Sequence, residues 1–322
     1  MQTLFRHLFI ALAFASFGAV AATEPKTHAS IDLDKTRALV KSWTLRKTFP
    51  DWTTFAYYYA DSSRILDGGI EPESKVRLVD FLKRCQRDDG GFAQSPKFAN
   101  EPNIVYTYYA LDTLHLLGAD QTIDRAKVLG FVQGLLDAGG GIRAVAEDKH
   151  GPTLASTFYG VEALRLLQGL DILDAGKTTA FVLSHRTSDD GGFAVTTKGP
   201  SRPRSTSMAV RTLATLGTLT ETQKDEAIQY LESAIALVGT KGPQFRAFSS
   251  MQAITAMVEA LDRLEALDDV ITDRLVEFVK DRYVPQNGGF GPAPGLGTTP
   301  ASTYQGLLCL EKLGALPKTT PE

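Results

Sequence analysis

Apolar and polar positions divide the chain into two kinds of helical segment that alternate along it. In the first kind, charged side chains alternate with apolar ones in the helical period: residues 73–84 carry six charged and five large apolar side chains. Such a segment has one apolar stripe and one polar face, and lies half exposed. In the second kind nearly every side chain is apolar, and residues 104–117 hold only Asp112 and His115 as acidic or basic groups. A helix that is apolar on all sides is expected to be buried.

A short glycine cassette recurs between the two kinds of helix. Its third residue stands at positions 92, 142, 193, 245 and 290, in steps of 50, 51, 52 and 45 residues. A nearly fixed period of this size is typical of a repeat architecture. Each copy precedes a variable loop and a Ser- or Thr-led apolar run, and a glycine closes most of these runs, which is the usual asymmetry of a helix. The copies are Gly90-Gly91-Phe92, Gly140-Gly141-Ile142, Gly191-Gly192-Phe193, the degenerate Pro243-Gln244-Phe245, and Gly288-Gly289-Phe290.

The count of segments predicts the architecture. Six half-exposed helices are predicted near residues 33–46, 73–86, 122–137, 174–186, 221–238 and 270–283. Six buried helices are predicted near residues 52–66, 103–118, 152–169, 203–217, 247–265 and 299–314. An open solenoid would need polar capping repeats at both ends, which the sequence lacks. We therefore expect an all-α fold, an α/α toroid with six inner and six outer helices.

Composition and the N-terminal residues refine this expectation. The 322-residue chain has a net charge of −3, so nothing indicates nucleic-acid binding. A basic start, a short apolar run at 8–17 and the small residues Ala19-Val20-Ala21 resemble a signal peptide. We expect residues 1–22 to be removed near Ala21 or Ala22, leaving one domain over 23–322 that is secreted or periplasmic. The apolar run is too short for a stable membrane span.

Two cysteines, Cys85 and Cys309, fall in different predicted helices. Export would permit a disulfide, but their placement favours two separate buried thiols. Neither the cysteines nor the five histidines have the spacing of a zinc site, so no metal or other cofactor is expected.

The cassette, the Thr-Tyr helix start and the Leu-Leu-Gly helix end together resemble the prenyltransferase/squalene-cyclase repeat. Asp89-Gly90-Gly91-Phe92, Tyr106-Thr107-Tyr108-Tyr109 and Leu116-Leu117-Gly118 carry this resemblance best, and it extends over about residues 50–315. The most similar members are the β subunits of protein prenyltransferases, the Rab geranylgeranyl transferase type above all. The resemblance implies a toroid whose apolar central funnel holds an isoprenoid chain.

The same resemblance fails at the family's zinc site. The positions that would hold the Asp, Cys and His ligands fall on Arg246, Phe248 and Ser302, which are not normal zinc ligands. The Asp-x-Asp-Asp motif of the cyclases has no match either. Zinc-dependent protein prenylation is therefore not expected, nor is a prenyltransferase α subunit as partner.

Basic and aromatic residues near the inner-helix starts indicate a ligand site instead. Helix N-termini and arginine forks favour anions, so an anionic head group at this rim and an apolar tail in the funnel form the first hypothesis. A solvated surface cluster is the alternative reading of the arginines, and core packing that of the aromatic residues. The candidate ligand-binding residues are Arg202, Arg204, Arg246, Tyr106, Phe158, Phe248 and Tyr304.

Two further hypotheses stay open. Asp112, Glu162 and Arg211 repeat at one position of the inner helices, and neighbouring carboxylates are typical of polysaccharide lyases and glycoside hydrolases; an ion network between helices is the alternative. His150, in a loop, is a weaker candidate base. A protein-binding scaffold without a pocket is the third hypothesis. The catalytic residues are unknown, and the sequence leaves open whether the chain is an enzyme, which would then be a prenyltransferase- or terpene-cyclase-like transferase or isomerase.

Overall fold

The computed structural model describes residues 30–97, 101–240, 242 and 246–317. The predicted signal peptide and the degenerate cassette Pro243-Gln244-Phe245 lie outside them. The described residues from Ile31 onward form one compact unit. Its thirteen helices are α1 Leu33–Ser42, α2 Thr53–Asp67, α3 Pro72–Cys85, α4 Ile104–Leu116, α5 Arg125–Gly134, α6 Leu154–Leu166, α7 Ala175–Leu183, α8 Pro203–Thr215, α9 Glu221–Ala236, α10 Arg246–Ser249, α11 Met251–Arg263, α12 Asp269–Lys280 and α13 Pro300–Lys312.

Six of these helices form a closed inner ring, which confirms the predicted toroid. Helices α2, α4, α6, α8, α11 and α13 pack against one another in this order, and α13 packs back against α2. Helices α1, α3, α5, α7, α9 and α12 surround them. The two-residue strands β1 (Tyr283–Val284) and β2 (Gly289–Phe290) pair antiparallel in the last cassette. Among the described residues no helix is long and apolar enough to cross a bilayer.

The fifth inner helix differs from the prediction of one helix over 247–265. Ser250 has extended backbone angles, and its side chain accepts a hydrogen bond from the backbone N–H of Ala253. This capping geometry begins a new helix at Met251, so residues 246–249 form the separate short helix α10.

The four described glycine cassettes are held by a threonine of the following inner helix. Each of these helices begins three residues before its threonine, so the threonine lies in the first turn. Its Oγ1 accepts a hydrogen bond from the backbone N–H of the third cassette residue. The pairs are Phe92–Thr107 at 3.0 Å, Ile142–Thr157 at 3.0 Å, Phe193–Thr206 at 2.9 Å and Phe290–Thr303 at 3.1 Å.

The first glycine of each described cassette packs against the next outer helix. At Gly140 the backbone has φ +91°, and an added Cβ would lie 2.3 Å from the carbonyl carbon of Lys177 in α7. Gly288 repeats this approach to Lys35 in α1, and the Thr36 hydroxyl donates to the Gly288 carbonyl at 2.6 Å. The last cassette thus binds the first outer helix and closes the outer ring. These contacts support an architectural role for the glycines.

The core lies between the inner and outer rings. The third cassette side chains Phe92, Ile142, Phe193 and Phe290 are fully buried in it. Cys85 and Cys309 are buried and unbridged, as predicted. Burial raises the pKa of the Cys85 thiol to about 11 and that of Cys309 to about 12, so both stay protonated near neutral pH.

Candidate functional site

A cavity of about 110 Å³ lies inside the inner ring. All six inner helices contribute to its wall, mainly through their first two or three turns. The lining residues are Tyr57, Tyr58, Tyr108, Tyr109, Phe158, Tyr159, Arg204, Ser207, Met208, Arg211, Gln252, Thr255, Ala256, Glu259, Tyr304, Gln305 and Leu308. The cavity is smaller than the roughly 300–1,000 Å³ typical of ligand pockets.

Six tyrosines on four inner helices form one contiguous aromatic cluster in this lumen. Neighbouring rings lie 5.1–6.3 Å apart between centroids, within the range of favourable aromatic pairs. The hydroxyl oxygens of Tyr57 and Tyr304 are 3.1 Å apart, and those of Tyr109 and Tyr159 are 3.4 Å apart. Desolvation raises the pKa of Tyr57, Tyr109 and Tyr304 well above the ordinary value, so these phenols stay neutral hydrogen-bond donors.

A charged layer lies one helical turn below the aromatic layer. Four residues after Tyr57, Tyr108, Phe158, Ser207, Thr255 and Tyr304 the chain has Asp61, Asp112, Glu162, Arg211, Glu259 and Leu308. Residues four apart share one face of a helix, so these side chains form a second ring. Three of its four carboxylates, Asp61, Glu162 and Glu259, bind arginines on their own or a neighbouring helix, as buried charges normally do.

The ion pairs of this layer have short distances. Asp61 Oδ1 accepts from Arg64 Nε at 2.5 Å, and the other two nitrogens of Arg64 bind Glu311 at 2.7 and 2.8 Å. Arg211 Nη1 lies 3.0 Å from Glu259 Oε1. Of the three residues at the repeated ionisable position, Arg211 pairs with a neighbouring helix, Glu162 pairs with Arg165 of its own helix, and Asp112 has no ion pair with a described residue.

The two carboxylates of the predicted catalytic alternative have different partners. Glu162 accepts from Arg165 Nε at 2.8 Å and from the Thr215 hydroxyl at 2.9 Å. Asp112 forms no salt bridge with a described residue and accepts from the Tyr108 hydroxyl at 2.9 Å. Desolvation raises the pKa of the Asp112 carboxyl, and the Tyr108 hydrogen bond opposes that increase. The third hypothetical group, His150, is exposed in its loop.

Arg204 marks the N-terminal edge of the cavity. It is the second residue of α8, is exposed, and forms no salt bridge with any residue that the structure describes. Its Nη2 reaches the Tyr159 hydroxyl at 3.5 Å. Deeper in the same wall, the Ser207 hydroxyl is buried and lacks a hydrogen-bond partner among the described residues. The cavity therefore has a guanidinium at its mouth and, in its wall, a hydroxyl that has no hydrogen-bond partner among the described residues.

The structure brings together three of the seven predicted ligand-binding residues: Arg204, Phe158 and Tyr304 all line the cavity. Arg202 caps α8 outside the cavity wall, near Tyr230 of the outer helix α9. Tyr106 is half buried and does not line the cavity. Phe248 packs against the core instead. The side chain of Arg246 lies outside the described residues, and a binding role for any of these seven residues stays a prediction.

Sequence reasoning missed most of the lumen wall. Arg211, considered only as an ionic partner, also places its guanidinium carbon 4.7 Å from the Phe158 ring centroid. Five further tyrosines of the wall are not among the seven candidates: Tyr57, Tyr58, Tyr108, Tyr109 and Tyr159. In the sequence the aromatic layer follows the aligned threonine by one residue and the charged layer follows it by five, so the spacing carries a signal for both layers. Within the described ranges, no three His, Cys, Asp or Glu side chains cluster in a way that would hold a metal.

Comparisons with known proteins agree with this architecture. The family model "Prenyltransferase alpha-alpha toroid domain" matches residues 44–242 and 223–320. Protein farnesyltransferase subunit beta of Pisum sativum is 34% identical over 67 residues, which are 21% of this chain and 16% of that protein. The same subunit of Arabidopsis thaliana is 32% identical over 67 residues, which are 21% of this chain and 14% of that protein. The alignment thus spans about a sixth of the length of these curated relatives.

Solved structures show the same fold over most of the chain. Candida albicans protein geranylgeranyltransferase-I complexed with GGPP superposes with a TM-score of 0.71 at 16% identity, covering 88% of this chain and 92% of that one. The type II terpene cyclase MstE from Scytonema, in complex with geranylgeranyl dihydroxybenzoate, gives 0.61 at 12% identity, covering 88% and 99%. At these identities the likeness establishes the fold, and the family match covers most of the sequence. The chain belongs to the prenyltransferase alpha-alpha toroid family.

Proposed function

We propose that this toroid binds an isoprenoid or similar lipid with an anionic head group, the tail in the tyrosine-lined lumen and the head at Arg204. The observation that carries the proposal is the combination of a continuous aromatic wall with an exposed arginine at its mouth that has no acidic partner among the described residues. Both structural neighbours named above carry geranylgeranyl compounds, which supports the choice of ligand class.

The mechanism proposed here does not use a zinc-bound thiolate. Phe248 and Ser302 occupy two of the positions where the family resemblance expects zinc ligands, and neither side chain can replace a thiolate or an imidazole there. If the chain is an enzyme, we propose a transferase- or cyclase-like reaction on the bound isoprenoid, in which the lumen excludes water.

Ligand entry requires the aromatic cluster to open, because a cavity of about 110 Å³ is too small for a chain of several isoprene units. Parting Tyr57 from Tyr304 and Tyr109 from Tyr159 would break two hydrogen bonds between neutral groups. Each costs about 0.5–1.5 kcal/mol. Burying about 200 Å² of apolar ligand surface gains about 5 kcal/mol, which exceeds the cost of breaking the two hydrogen bonds.

The small cavity is also the observation that favours a second candidate, a protein-binding scaffold whose lumen is filled by side chains. The lyase or hydrolase alternative has less support. Among the described residues that line the cavity, Glu259 is the one carboxylate, and it is paired with Arg211.

Export is part of the proposal. We propose that residues 1–22 act as a signal peptide and that the toroid works in a secreted or periplasmic location. The intact mass of the protein recovered from the expressing cells tests this, since removal of the leader near Ala21 or Ala22 shortens the chain by that length, and an unprocessed chain would refute it.

Ligand binding is tested by native mass spectrometry of the purified protein with geranylgeranyl diphosphate and with geranylgeraniol. Arg204→Gln removes the charge at the cavity edge, and Arg263→Gln, at the exposed last residue of α11 and outside the wall, is the matched control. A charge-assisted hydrogen bond contributes about 1.5–3 kcal/mol, so we expect diphosphate affinity to fall about 10- to 100-fold in Arg204→Gln only, with geranylgeraniol unaffected. Absence of binding to both compounds would leave the scaffold as the better function.

A further inference from the structure

A larger groove, of about 500 Å³, lies on the outer surface away from the lumen cavity. It separates the loop before α2 from the outer helix α3. The Arg77 guanidinium joins its two walls by donating to the carbonyls of Thr44 at 3.0 Å and Phe49 at 2.8 Å. The lining residues are Phe49, Pro50, Arg77, Asp80, Lys83 and Arg84.

The groove is basic in a chain that is acidic overall. Its two walls, residues 44–52 and 75–84, hold six Lys or Arg residues and two Asp residues, a net charge of +4 against −3 for the whole chain. Lys83 and Arg84 are exposed and form no salt bridge with any described residue. The net positive charge of the two walls favours an anionic binding partner.

Large apolar side chains project from the same two walls. Leu45 is 83% exposed, Val76 is 60% exposed and Trp52 is 47% exposed. They are three of the six large hydrophobic residues that are exposed in the described part of the chain, although the two walls comprise only 19 residues. Scattered single apolar residues are normal on a surface, but a concentrated group marks an interaction site.

We infer that this surface, the groove with Leu45, Trp52 and Val76 around it, docks the protein on an anionic lipid bilayer. Lysine and arginine contact the anionic head groups, while leucine, valine and tryptophan enter the interfacial region below them. The inference rests on the proposed function, since a bilayer is the source of a lipid ligand. Trp52 caps the N-terminus of α2, and Tyr57 and Tyr58 of that helix line the lumen. The docked surface therefore includes the N-terminus of a helix that lines the lumen.

An acidic peptide is the other partner that a basic groove fits. The exposed apolar side chains favour the bilayer, because a hydrophilic acidic segment would leave Leu45 and Val76 in water. An anionic bilayer can contact both the basic side chains and the exposed apolar side chains of this surface.

Vesicle binding of the full chain tests the inference directly. Trp43 is buried and Trp52 is exposed, and they are the two tryptophans of the chain, so a change in tryptophan emission on docking reports Trp52. We expect a blue shift and sedimentation with vesicles of equal parts phosphatidylglycerol and phosphatidylcholine, and little of either with phosphatidylcholine alone. Each basic residue near a charged surface contributes about a factor of five in partitioning, so Lys83→Gln with Arg84→Gln should weaken binding about 30-fold.

Matched controls separate this surface from a general charge effect. Lys177→Gln with Lys224→Gln removes two basic side chains from the outer helices α7 and α9 and should leave vesicle binding within about twofold. Leu45→Ser should weaken binding, whereas Val270→Ser, at a valine that is 78% exposed on α12, should not. Equal effects of the test and control variants would overturn the inference, as would binding to poly-glutamate without binding to vesicles.

The outcomes for the two proposals are distinguishable. If the Lys83→Gln, Arg84→Gln variant loses vesicle binding but keeps its affinity for geranylgeranyl diphosphate, both proposals stand. A protein that binds the diphosphate and ignores vesicles refutes only the docking surface. One that binds vesicles and no isoprenoid refutes only the lumen ligand.

Discussion

Replacing Thr107 by valine tests the contact that joins each cassette to its inner helix. Valine keeps the shape of threonine but lacks the hydroxyl, so the backbone N–H of Phe92, now 3.0 Å from Oγ1, loses its acceptor. Thr107 and Phe92 are both fully buried, and water cannot replace the lost partner without opening the core. A buried donor left without a partner costs about 1–3 kcal/mol, so we expect the free energy of unfolding to fall by about 2 kcal/mol.

The measurement is urea denaturation followed by circular dichroism, comparing midpoints at constant slope. Thr107→Ser retains the hydroxyl and should lose less than about 1 kcal/mol, through the missing methyl group. Thr44→Val is a further control, because the Thr44 hydroxyl bonds Lys41 at the surface and its loss should cost less than about 0.5 kcal/mol. If Thr107→Val were as stable as Thr107→Ser, the hydrogen bond would not hold the cassette and the reasoning would be wrong.

Three more outcomes are expected. Gly118→Ala should cost roughly 1–2 kcal/mol of left-handed backbone strain, because the new Cβ would have open space around it. Gly140→Ala should destabilise the protein by well over that amount, because its Cβ would also lie 2.3 Å from the backbone of Lys177. Equal thermal unfolding of the two variants would contradict this. Because burial raises the pKa of Asp112, the folded state binds that proton more tightly than the unfolded chain and stability falls as pH rises through the folded-state pKa. The stability advantage of Asp112→Asn over the parent should therefore grow from about pH 4 to about pH 8, and a constant or shrinking difference in urea titrations would refute the shift. Cys85 and Cys309 should resist a thiol reagent in the native protein and react after denaturation; rapid labelling of either thiol in native buffer would contradict their burial.

The fold was predictable because each repeat requires particular residue types at particular local positions. Glycine is required where a cassette touches the next outer helix, and an inner helix enclosed on all sides has few polar positions. The break at Ser250 was missed because a capping serine and a serine within a helix look alike until the backbone angles are known. The hydrogen bond from the cassette backbone to the threonine hydroxyl was not predicted for a related reason. It joins residues 15 positions apart in the first two cassettes, and a local pattern does not show such a contact.

The candidate site was only partly predictable, because lumen exposure depends on helical phase. Tyr106 lies two residues before Tyr108, which is about 200° around a helix, so it points away from the side that Tyr108 shares with the cavity. Phe158, a candidate because it lies near a helix start, does line the cavity, and it precedes Glu162 by four residues as Tyr108 precedes Asp112. The closeness of the tyrosines on different helices depends on the ring radius, which no local pattern specifies.

The bond between Thr36 and Gly288 joins residues 252 positions apart, and it makes the number of repeats a fixed property of the molecule. An open array can lose a terminal unit and keep the rest, since its stability is close to a sum of units and their interfaces. Here every unit has a neighbour on both sides, so deleting one hairpin would change the circumference and leave all the remaining interfaces at the wrong angle. Evolution can therefore alter this protein freely in its loops and lumen side chains, but cannot lengthen or shorten it one hairpin at a time.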